Sequence, residues 1–278
     1  MSTAGEAMAA AAARLRAAGV PDPARDARIL LAHAASVDAA RVTLIAPEEI
    51  APDIAERFER LIALRAVRVP VSHLVGARAF YGRDFKVSRE VLDPRPETET
   101  LIELALSGPF ERILDLGTGS GCILVTLLAE RAGATGLGVD LSEGACLQAS
   151  ANAVQHGVAA RADIAQSDWF ETVEGRFDLI VANPPYLAAT EMGQIAPELR
   201  DHEPRMALTD GADGLSVYRI IADEAQGYLT AAGRVLVEIG WQQGETVQEI
   251  FSRAGWGDVH LAHDLDGRAR VVSAANPA

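Results

Sequence analysis

The sequence of 278 residues contains little cysteine, lysine or aromatic side chain. Its two cysteines, Cys122 and Cys146, are too few for a disulfide framework or a four-ligand zinc site, and no other metal site is expected. Aromatic residues make up only 5% of the chain, so aliphatic side chains and alanine must fill most of the core. Lys86 is the single lysine, and nearly all positive charge is therefore carried by arginine.

Long apolar runs are also missing. No stretch approaches the ~20 apolar residues that a membrane-spanning helix needs. The first residues lack the basic region of a signal peptide, and Arg14 and Arg16 interrupt the alanine run that follows. We therefore expect a cytoplasmic protein with free thiols and no membrane partner.

Positive charge is scarce, and its distribution is uneven. The chain has 25 Lys and Arg against 39 Asp and Glu, a formal net charge of −14, which disfavours a nonspecific nucleic-acid binder. Residues 1–88 hold 12 basic and 10 acidic side chains, whereas residues 89–278 hold 13 and 29. The split indicates two modules with different roles, unless each half simply has its own solvated surface.

The first 76 residues have the pattern of a small helical bundle. Segments 8–18, 24–35 and 53–67 carry apolar side chains at helical spacing, and the second begins after an Asp22-Pro23 capping pair. Aromatic and β-branched residues around Gly82-Arg83-Asp84 predict a hairpin within a linker of residues 77–95. The sequence thus predicts a helical domain over 1–76, whose purpose the pattern does not state, and a second domain over 96–278.

From residue 111 onward strands and helices alternate, which predicts an α/β fold with a mostly parallel sheet covered on both faces. The last two strands are joined by too few residues for a crossover helix, so they should form an antiparallel hairpin at the sheet edge. Seven strands are predicted, at residues 113–116, 136–139, 163–166, 177–182, 234–239, 258–262 and 270–273. Helices are predicted at residues 98–106, 122–131, 143–156, 216–229 and 245–253.

A glycine-rich loop, Asp115-Leu116-Gly117-Thr118-Gly119-Ser120-Gly121, follows the first of these strands. Glycines let the chain turn sharply and bring backbone N–H groups close to a ligand at a helix N-terminus. The third glycine of a dinucleotide-binding motif would fall at Cys122, and no Lys-Ser/Thr pair of a phosphate-binding loop follows. A glycine-rich loop alone is a weak signal, but these two absences argue against a dinucleotide site and against a phosphate-binding loop.

Asp140 ends the second strand, about 20 residues beyond the loop. A carboxylate at this place can accept hydrogen bonds from both hydroxyls of a ribose. Asp140 or Ser142 could instead cap the next helix. The spacing to the glycine loop favours ribose binding.

The tetrapeptide Asn183-Pro184-Pro185-Tyr186 directly follows the strand at 177–182. Two prolines fix the backbone and leave carbonyl acceptors, while Asn183 adds a side-chain carbonyl and Tyr186 a ring face. This set suits a planar –NH2 group, which has two hydrogens to donate. A rigid turn is the alternative interpretation of the same residues.

Together these motifs resemble the class I methyltransferases that use S-adenosylmethionine, in the branch that methylates planar nitrogens through an N-P-P-Y motif. Further motifs along nearly the whole chain resemble the release-factor glutamine methyltransferases; they are Phe80-Tyr81-Gly82, Pro94-Arg95-Pro96-Glu97-Thr98-Glu99, Ser167-Asp168-Trp169-Phe170, Glu203-Pro204, Asp213-Gly214-Leu215 and Asp266-Gly267-x-x-Arg270. Asp93 departs from the family pattern, which usually has an aliphatic residue there.

The resemblance implies a Rossmann-like methyltransferase sheet and methylation of the glutamine of the Gly-Gly-Gln motif in peptide chain release factors, at the side-chain amide nitrogen. It also implies a substrate-recognition domain over 1–76 and a methyltransferase domain over 96–278. Nothing in the sequence demands more than a monomer. The resemblance further implies that Gly117, Thr118, Gly119, Ser120 and Gly121 hold the methionine part of S-adenosylmethionine and that Asp140 holds the ribose. Asp168 and Trp169 would lie at the adenine. Asn183, Pro184, Pro185 and Tyr186 would hold the glutamine amide, and Asn183 would also contact the cofactor.

Other functions fit parts of the pattern. A ribosomal-protein glutamine methyltransferase would look similar, and an adenine-N6 methyltransferase of nucleic acid shares the N-P-P-Y motif but needs a basic groove. A nonenzymatic protein that kept the fold would not need all three motifs. Arg200, Glu203 and Arg205 either line a substrate entry or belong to a solvated loop. With no positioned His, Lys or metal, we expect catalysis by orientation and electrostatics.

Overall fold

The computed structural model describes residues 2–277 and separates them into two units. The first contains the chain up to Ala77 together with Ala196–His202, and the second contains Arg78–Ile195 and the chain from Glu203 onward. The membership of Ala196–His202 in the first unit is not predicted by any sequence pattern. Among the described residues no helix is long and apolar enough to cross a membrane.

The elements are numbered in chain order. The helices are α1 (Ala4–Ala17), α2 (Pro23–Ala35), α3 (Val42–Ile45), α4 (Pro52–Ala66), α5 (Val71–Val75), α6 (Glu99–Leu106), α7 (Cys122–Glu130), α8 (Glu143–Gln155), α9 (Pro197–His202), α10 (Ser216–Glu224) and α11 (Gly244–Arg253). The strands are β1 (Ala77–Phe80), β2 (Arg83–Lys86), β3 (Arg112–Leu116), β4 (Thr135–Asp140), β5 (Ala162–Gln166), β6 (Phe177–Ala182), β7 (Leu229–Glu238), β8 (Gly257–His263) and β9 (Ala269–Ala275). Short 3₁₀ turns occur at Ala39–Arg41, Pro96–Thr98, Arg205–Ala207 and Ala225–Tyr228.

The first unit is helical, as the sequence predicts. α1 starts at a capping box in which Thr3 Oγ1 accepts from the Glu6 N–H and the Glu6 carboxylate accepts from the Thr3 N–H. α2 begins at Pro23, but the Asp22 side chain makes no capping hydrogen bond. Large apolar side chains from three helices fill the core, and those that are fully buried are Leu15, Leu30, Leu31, Phe58 and Ile62.

The predicted hairpin forms with its turn one residue earlier than the sequence indicates. Tyr81 and Gly82 are the two turn residues, and both have positive φ, 47° and 70°. Two central residues with positive φ define the type I′ turn that suits the twist of a two-stranded ribbon. Arg83 therefore already belongs to β2, and the hairpin lies in the second unit.

The second unit contains a seven-stranded sheet in the order β5-β4-β3-β6-β7-β9-β8. Strands β3 to β7 are parallel, whereas β9 runs antiparallel to both of its neighbours, β7 and β8. The predicted α/β architecture with its C-terminal antiparallel hairpin is thus confirmed. The strand order reverses between β3 and β6, the point where ligands bind in open α/β sheets.

Both faces of the sheet are buried. Along β6, Ile180 packs into one apolar cluster with α10 and α11, while Leu179 and Val181 pack into another with α6 and α7. Alternate residues of a strand point to opposite faces, so a strand covered on both sides must be apolar throughout. This is why the continuous apolar run at 179–182 belongs to a central strand.

Candidate active site

The strand register brings four site residues into one row at the carboxyl edge of the sheet. Leu116, Val139, Ala182 and Val237 are paired across β3, β4, β6 and β7. The residues that come next on these strands are Gly117, Asp140, Asn183 and Glu238. The first three belong to motifs that the sequence predicts, and Glu238 does not.

A cavity of about 370 Å³ opens at this edge, within the second unit. Five of the side chains that line it carry carboxylates, and one, Arg95, carries a guanidinium. The acidic residues are Glu90, Asp93, Asp140, Asp168 and Asp210. The cavity therefore favours a ligand with a positive centre over a phosphate-bearing one.

The glycine-rich loop forms one wall of the cavity through Gly117, Thr118, Gly119 and Ser120. Its three glycines have φ values between 54° and 76°, a region that side chains rarely adopt. A hydrogen bond from Thr118 Oγ1 to Asp115 Oδ2, at 2.7 Å, fixes the loop to strand β3. Asp115 is fully buried, and burial raises the pKa of its carboxyl to about 7.

Gly121 does not line the cavity but closes the loop against the next helix. A Cβ at this position would lie 3.1 Å from Ala149 Cβ. Its glycine is therefore needed where the loop meets α8, and its φ of +76° adds a second reason.

Asp140 joins the second strand to the loop. Its Oδ2 accepts from the Gly119 N–H and its Oδ1 from the Ser142 N–H, both at 2.9 Å. The cap of α8 is provided by Ser142, whose hydroxyl accepts from the Ala145 N–H. Each Asp140 oxygen keeps a further lone pair toward the cavity, so the carboxylate remains available to a ribose.

Asp168 and Trp169 follow β5 and line the same cavity. The Asp168 side chain is exposed, whereas Trp169 is partly buried and has a φ of 46°. A Cβ placed on Gly117 would contact the Trp169 ring at 3.6 Å, so the ring lies against the start of the glycine loop. The two predicted cofactor-binding segments are thus neighbours in space.

Only two of the four residues of the Asn183-Pro184-Pro185-Tyr186 motif line the cavity. Asn183 and Pro185 line the cavity, whereas Pro184 is buried and is not among the lining residues. Tyr186 packs against the sheet core instead of lining the cavity, and burial raises the pKa of its hydroxyl to about 12. The stacking of its ring on a substrate amide stays a prediction.

Thr98, which lines the cavity, and Glu238, which does not, are two further residues near Asn183 to which sequence reasoning assigned no role. Asn183 Nδ2 donates to Thr98 Oγ1 at 3.2 Å, and the Thr98 hydroxyl lies close enough to the Glu238 carboxyl to act against the rise of its pKa. Glu238 is 1% exposed, and burial raises its pKa to about 7. A carboxylate that ends a buried strand, as Asp140 also does, is the sequence signal that could have found it.

The segment after Tyr186 is fixed by side chains from two other loops. Gln243 Nε2 donates to the carbonyl oxygens of Tyr186, at 2.9 Å, and of Gly214, at 3.2 Å. The Asp210 carboxylate accepts from the Ser216 hydroxyl and from the N–H groups of Ala212, Ser216 and Gly214, and these hydrogen bonds outweigh the effect of burial and lower its pKa to about 2.

Of the three charged residues predicted near the substrate entry, only Glu203 is buried. Arg95 NH2 donates to both of its carboxylate oxygens at 2.6 Å. Arg200 pairs with Asp201 at the surface, and none of the three lines the cavity, although Pro204 and Met206 do. Asp93, the departure from the family pattern, is buried and lines the cavity.

Comparisons with known proteins divide the chain in a similar way. Residues 6–76 match the family model of the PrmC N-terminal domain, and residues 88–239 match that of the methyltransferase small domain. The chain is 54% identical to a release factor glutamine methyltransferase of Cereibacter sphaeroides over 99% of both chains. A release factor glutamine methyltransferase of Rhodospirillum rubrum is 43% identical, over 94% of this chain and 81% of its own.

Solved structures share the fold at low identity. A methyltransferase from Pyrococcus furiosus superposes with a TM-score of 0.55 at 16% identity, covering 72% of this chain and 92% of its own. The catalytic domain of hMettl16, solved in complex with MAT2A 3'UTR hairpin 6, gives 0.59 at 17% identity, covering 78% and 82%. These similarities support the methyltransferase fold of the second unit.

Proposed function

The chain belongs to the release factor glutamine methyltransferases, and from this we propose that it transfers a methyl group from S-adenosylmethionine to the glutamine of the Gly-Gly-Gln motif in peptide chain release factors. The acceptor is the side-chain amide nitrogen, N5. The observation that carries the proposal is that Asn183 lines one cavity with the glycine loop and Asp140. The enzyme would act in translation termination, as a monomer in the cytoplasm.

The lining of the cavity fits S-adenosylmethionine. The molecule is a nucleoside without phosphates, it carries a sulfonium cation, and it supplies the methyl group when bound. Five lining carboxylates against one guanidinium suit that cation. Asp140 would accept from the ribose hydroxyls, the glycine loop would hold the methionine part, and Asp168 and Trp169 would lie at the adenine.

Asn183 would hold the substrate nitrogen. Its Nδ2 donates to Thr98, which leaves Oδ1 for a hydrogen of the glutamine amide. The second hydrogen would go to the Pro184 carbonyl, which does not line the cavity in this structure and would have to become accessible when the substrate binds. An amide nitrogen is a weak nucleophile because its lone pair is delocalised into the carbonyl. Two acceptors would orient the nitrogen toward the methyl group and stabilise the positive charge that develops on it.

The charge of the catalytic part favours a protein substrate over nucleic acid. Residues 89–278 hold 29 acidic and 13 basic side chains, and Arg95, the one lining guanidinium, is already paired with Glu203. A nucleic-acid methyltransferase needs basic side chains along the path of the phosphates. The helical first unit, with nearly balanced charge, would recognise the release factor away from the reacting glutamine.

Transfer of labelled methyl groups tests this proposal. Purified enzyme and labelled S-adenosylmethionine are incubated separately with a release factor, with its Gly-Gly-Ala variant, with ribosomal proteins, and with DNA or RNA. We expect label on the intact release factor only, because the variant lacks the accepting amide. Label on nucleic acid or on a ribosomal protein, with none on the release factor, would assign the enzyme to one of the alternative classes.

A further inference from the structure

Glu238 is a buried acid that the proposed mechanism does not yet use. It ends β7 in the same row as Asn183, since Ala182 pairs with Val237, and it is 1% exposed. Its Oε2 has no hydrogen-bond partner among residues 2–277. A buried carboxyl with an unsatisfied oxygen is costly, so its presence beside the site needs a reason.

The reason lies in the direction of the hydrogen bonds around Thr98. The threonine hydroxyl has one hydrogen to donate and accepts through its lone pairs. A carboxylate has no hydrogen, so the ionised form of Glu238 takes the Thr98 hydrogen and leaves only lone pairs for the Asn183 carboxamide. Asn183 must then present Nδ2 to Thr98, as the structure has it, and Oδ1 is directed away from Thr98.

We propose that Thr98 and Glu238 are a positioning pair that fixes the orientation of the Asn183 carboxamide, so that its oxygen receives the substrate amide. The inference rests on the proposed function, because Asn183 is taken to bind that amide. Neither Thr98 nor Glu238 touches the substrate in this scheme. They act by preventing rotation of the Asn183 carboxamide. In the rotated orientation its NH2 group would face the NH2 group of the substrate amide, and no hydrogen bond could form between them.

When Glu238 is protonated, the pair no longer fixes the orientation of the Asn183 carboxamide. The acid form carries a hydrogen of its own and can donate to Thr98, which then becomes free to donate to Asn183 and to select the rotated carboxamide. The pKa of Glu238 is raised to about 7, chiefly by burial and in part by Glu97, while Thr98, Arg270 and Arg95 act in the opposite direction. The hydroxyl of Tyr186 is also close enough for its pKa to be raised by Glu238, and that of Tyr218 donates to the backbone carbonyl of Glu238.

Kinetics of four variants test the pair against the wild type. Thr98→Val removes the hydroxyl at nearly constant volume, Thr98→Ser restores it, and Glu238→Gln removes the titrating group. Thr126→Val is the matched control, because Thr126 is equally buried but does not line the cavity. For each protein, kcat and KM for the release factor are measured from pH 5.5 to 9, with the Kd for S-adenosylmethionine and the Tm.

We expect Thr98→Val to lower kcat about tenfold or more, with little change in cofactor Kd, because misorientation of Asn183 affects the transfer step. Thr98→Ser and Thr126→Val should stay close to the wild type. The wild-type kcat should fall as the pH drops through about 7, and Glu238→Gln should have a lower kcat without that fall.

Two results would overturn the inference while leaving the proposed function intact. One is an active Thr98→Val enzyme with the wild-type kcat, and the other is an unchanged pH profile in Glu238→Gln. If Thr98→Val does not fold, the profile of Glu238→Gln decides alone. A wild type that methylates no release factor removes the proposed function, and the inference with it.

Discussion

Glu198 accepts two hydrogen bonds from the guanidinium of Arg68, with Oε1 2.7 Å from Nε and Oε2 2.6 Å from NH2. Arg65 donates to the same carboxylate at 2.9 Å and to Asp26 at 2.7 Å. Both partners of the Arg65–Glu198 pair are largely buried, at 6% and 13% side-chain exposure. This cluster explains why Ala196–His202 belongs to the helical first unit.

Glu198→Ala should therefore lower the free energy of unfolding by about 2 kcal/mol, since two arginines lose a buried partner. Burial by itself would raise the pKa of Glu198, but the hydrogen bonds from Arg68 and Arg65 prevail and lower it. A lowered carboxyl pKa contributes stability above the pKa of the unfolded chain and loses it as the pH falls through the folded value. The difference in the free energy of unfolding between Glu198→Ala and the wild type should thus become smaller below about pH 4.

Urea unfolding at pH 7 and pH 3.5 measures both effects. Glu59→Ala is the control, because the Arg14–Glu59 pair lies in the same unit but is solvent-exposed. Exposed pairs contribute little, so this variant should change stability by less than about 0.5 kcal/mol. Equal losses in the two variants would contradict the role given to burial.

Much of the site could be predicted from sequence because it depends on short segments. The glycine loop, Asp140 and Asn183 each follow an apolar strand, and parallel strands bring their carboxyl ends to one edge. Glu238 follows the same rule at the end of β7, but its partner Thr98 lies 140 positions earlier in the chain. No local pattern reveals such a pairing.

The parts of the fold that were not predicted depend on long-range contacts or on very short elements. Helices α3 and α5 have four and five residues, too few for an apolar period to be recognised. The position of α9 is set by Glu198, whose partner Arg68 is 130 residues away. The sequence pattern places the hairpin turn too late because Tyr81 adopts positive φ, which is unusual for an aromatic residue.

Asp140→Asn should weaken cofactor binding more than it slows methyl transfer. The carboxylate bridges the Gly119 and Ser142 N–H groups and has lone pairs left for two ribose hydroxyls, whereas the carboxamide has a single acceptor oxygen. We expect the Kd for S-adenosylhomocysteine, measured by calorimetry, to rise about tenfold, the loss of one hydrogen bond to a charged group. Asp163→Asn, on the exposed side of β5, is the control and should bind as the wild type does.

Gly214→Ala should reduce activity through the backbone of the N-P-P-Y motif. An added Cβ would lie 2.4 Å from the Tyr186 carbonyl oxygen, so the chain after Pro185 must shift. Gly211→Ala is a matched control, because Gly211 has the same φ of +76° but no atom within 4 Å of its added Cβ. Both variants should lose about 1 kcal/mol of stability to backbone strain.

Only Gly214→Ala should also lower kcat for release-factor methylation, since only this substitution moves Tyr186. Because the two glycines have the same φ, comparing the two variants separates the effect of backbone strain from the effect of displacing Tyr186. A kcat that falls equally in both variants would mean that general loosening of the loop, and not the contact with Tyr186, limits the enzyme.

Asn183→Ala should abolish most of the turnover while leaving the cofactor site in place. The variant loses the oxygen that would orient the substrate amide, and removal of one such group typically costs about 100-fold in kcat. Cofactor affinity should change by less than about threefold, because Asp140 and the glycine loop are untouched. Asn276→Ala is the control, since this carboxamide also donates one hydrogen bond, to the Thr230 carbonyl near the amino end of β7. Unchanged turnover in Asn183→Ala, with the release factor as substrate, would refute the role assigned to Asn183.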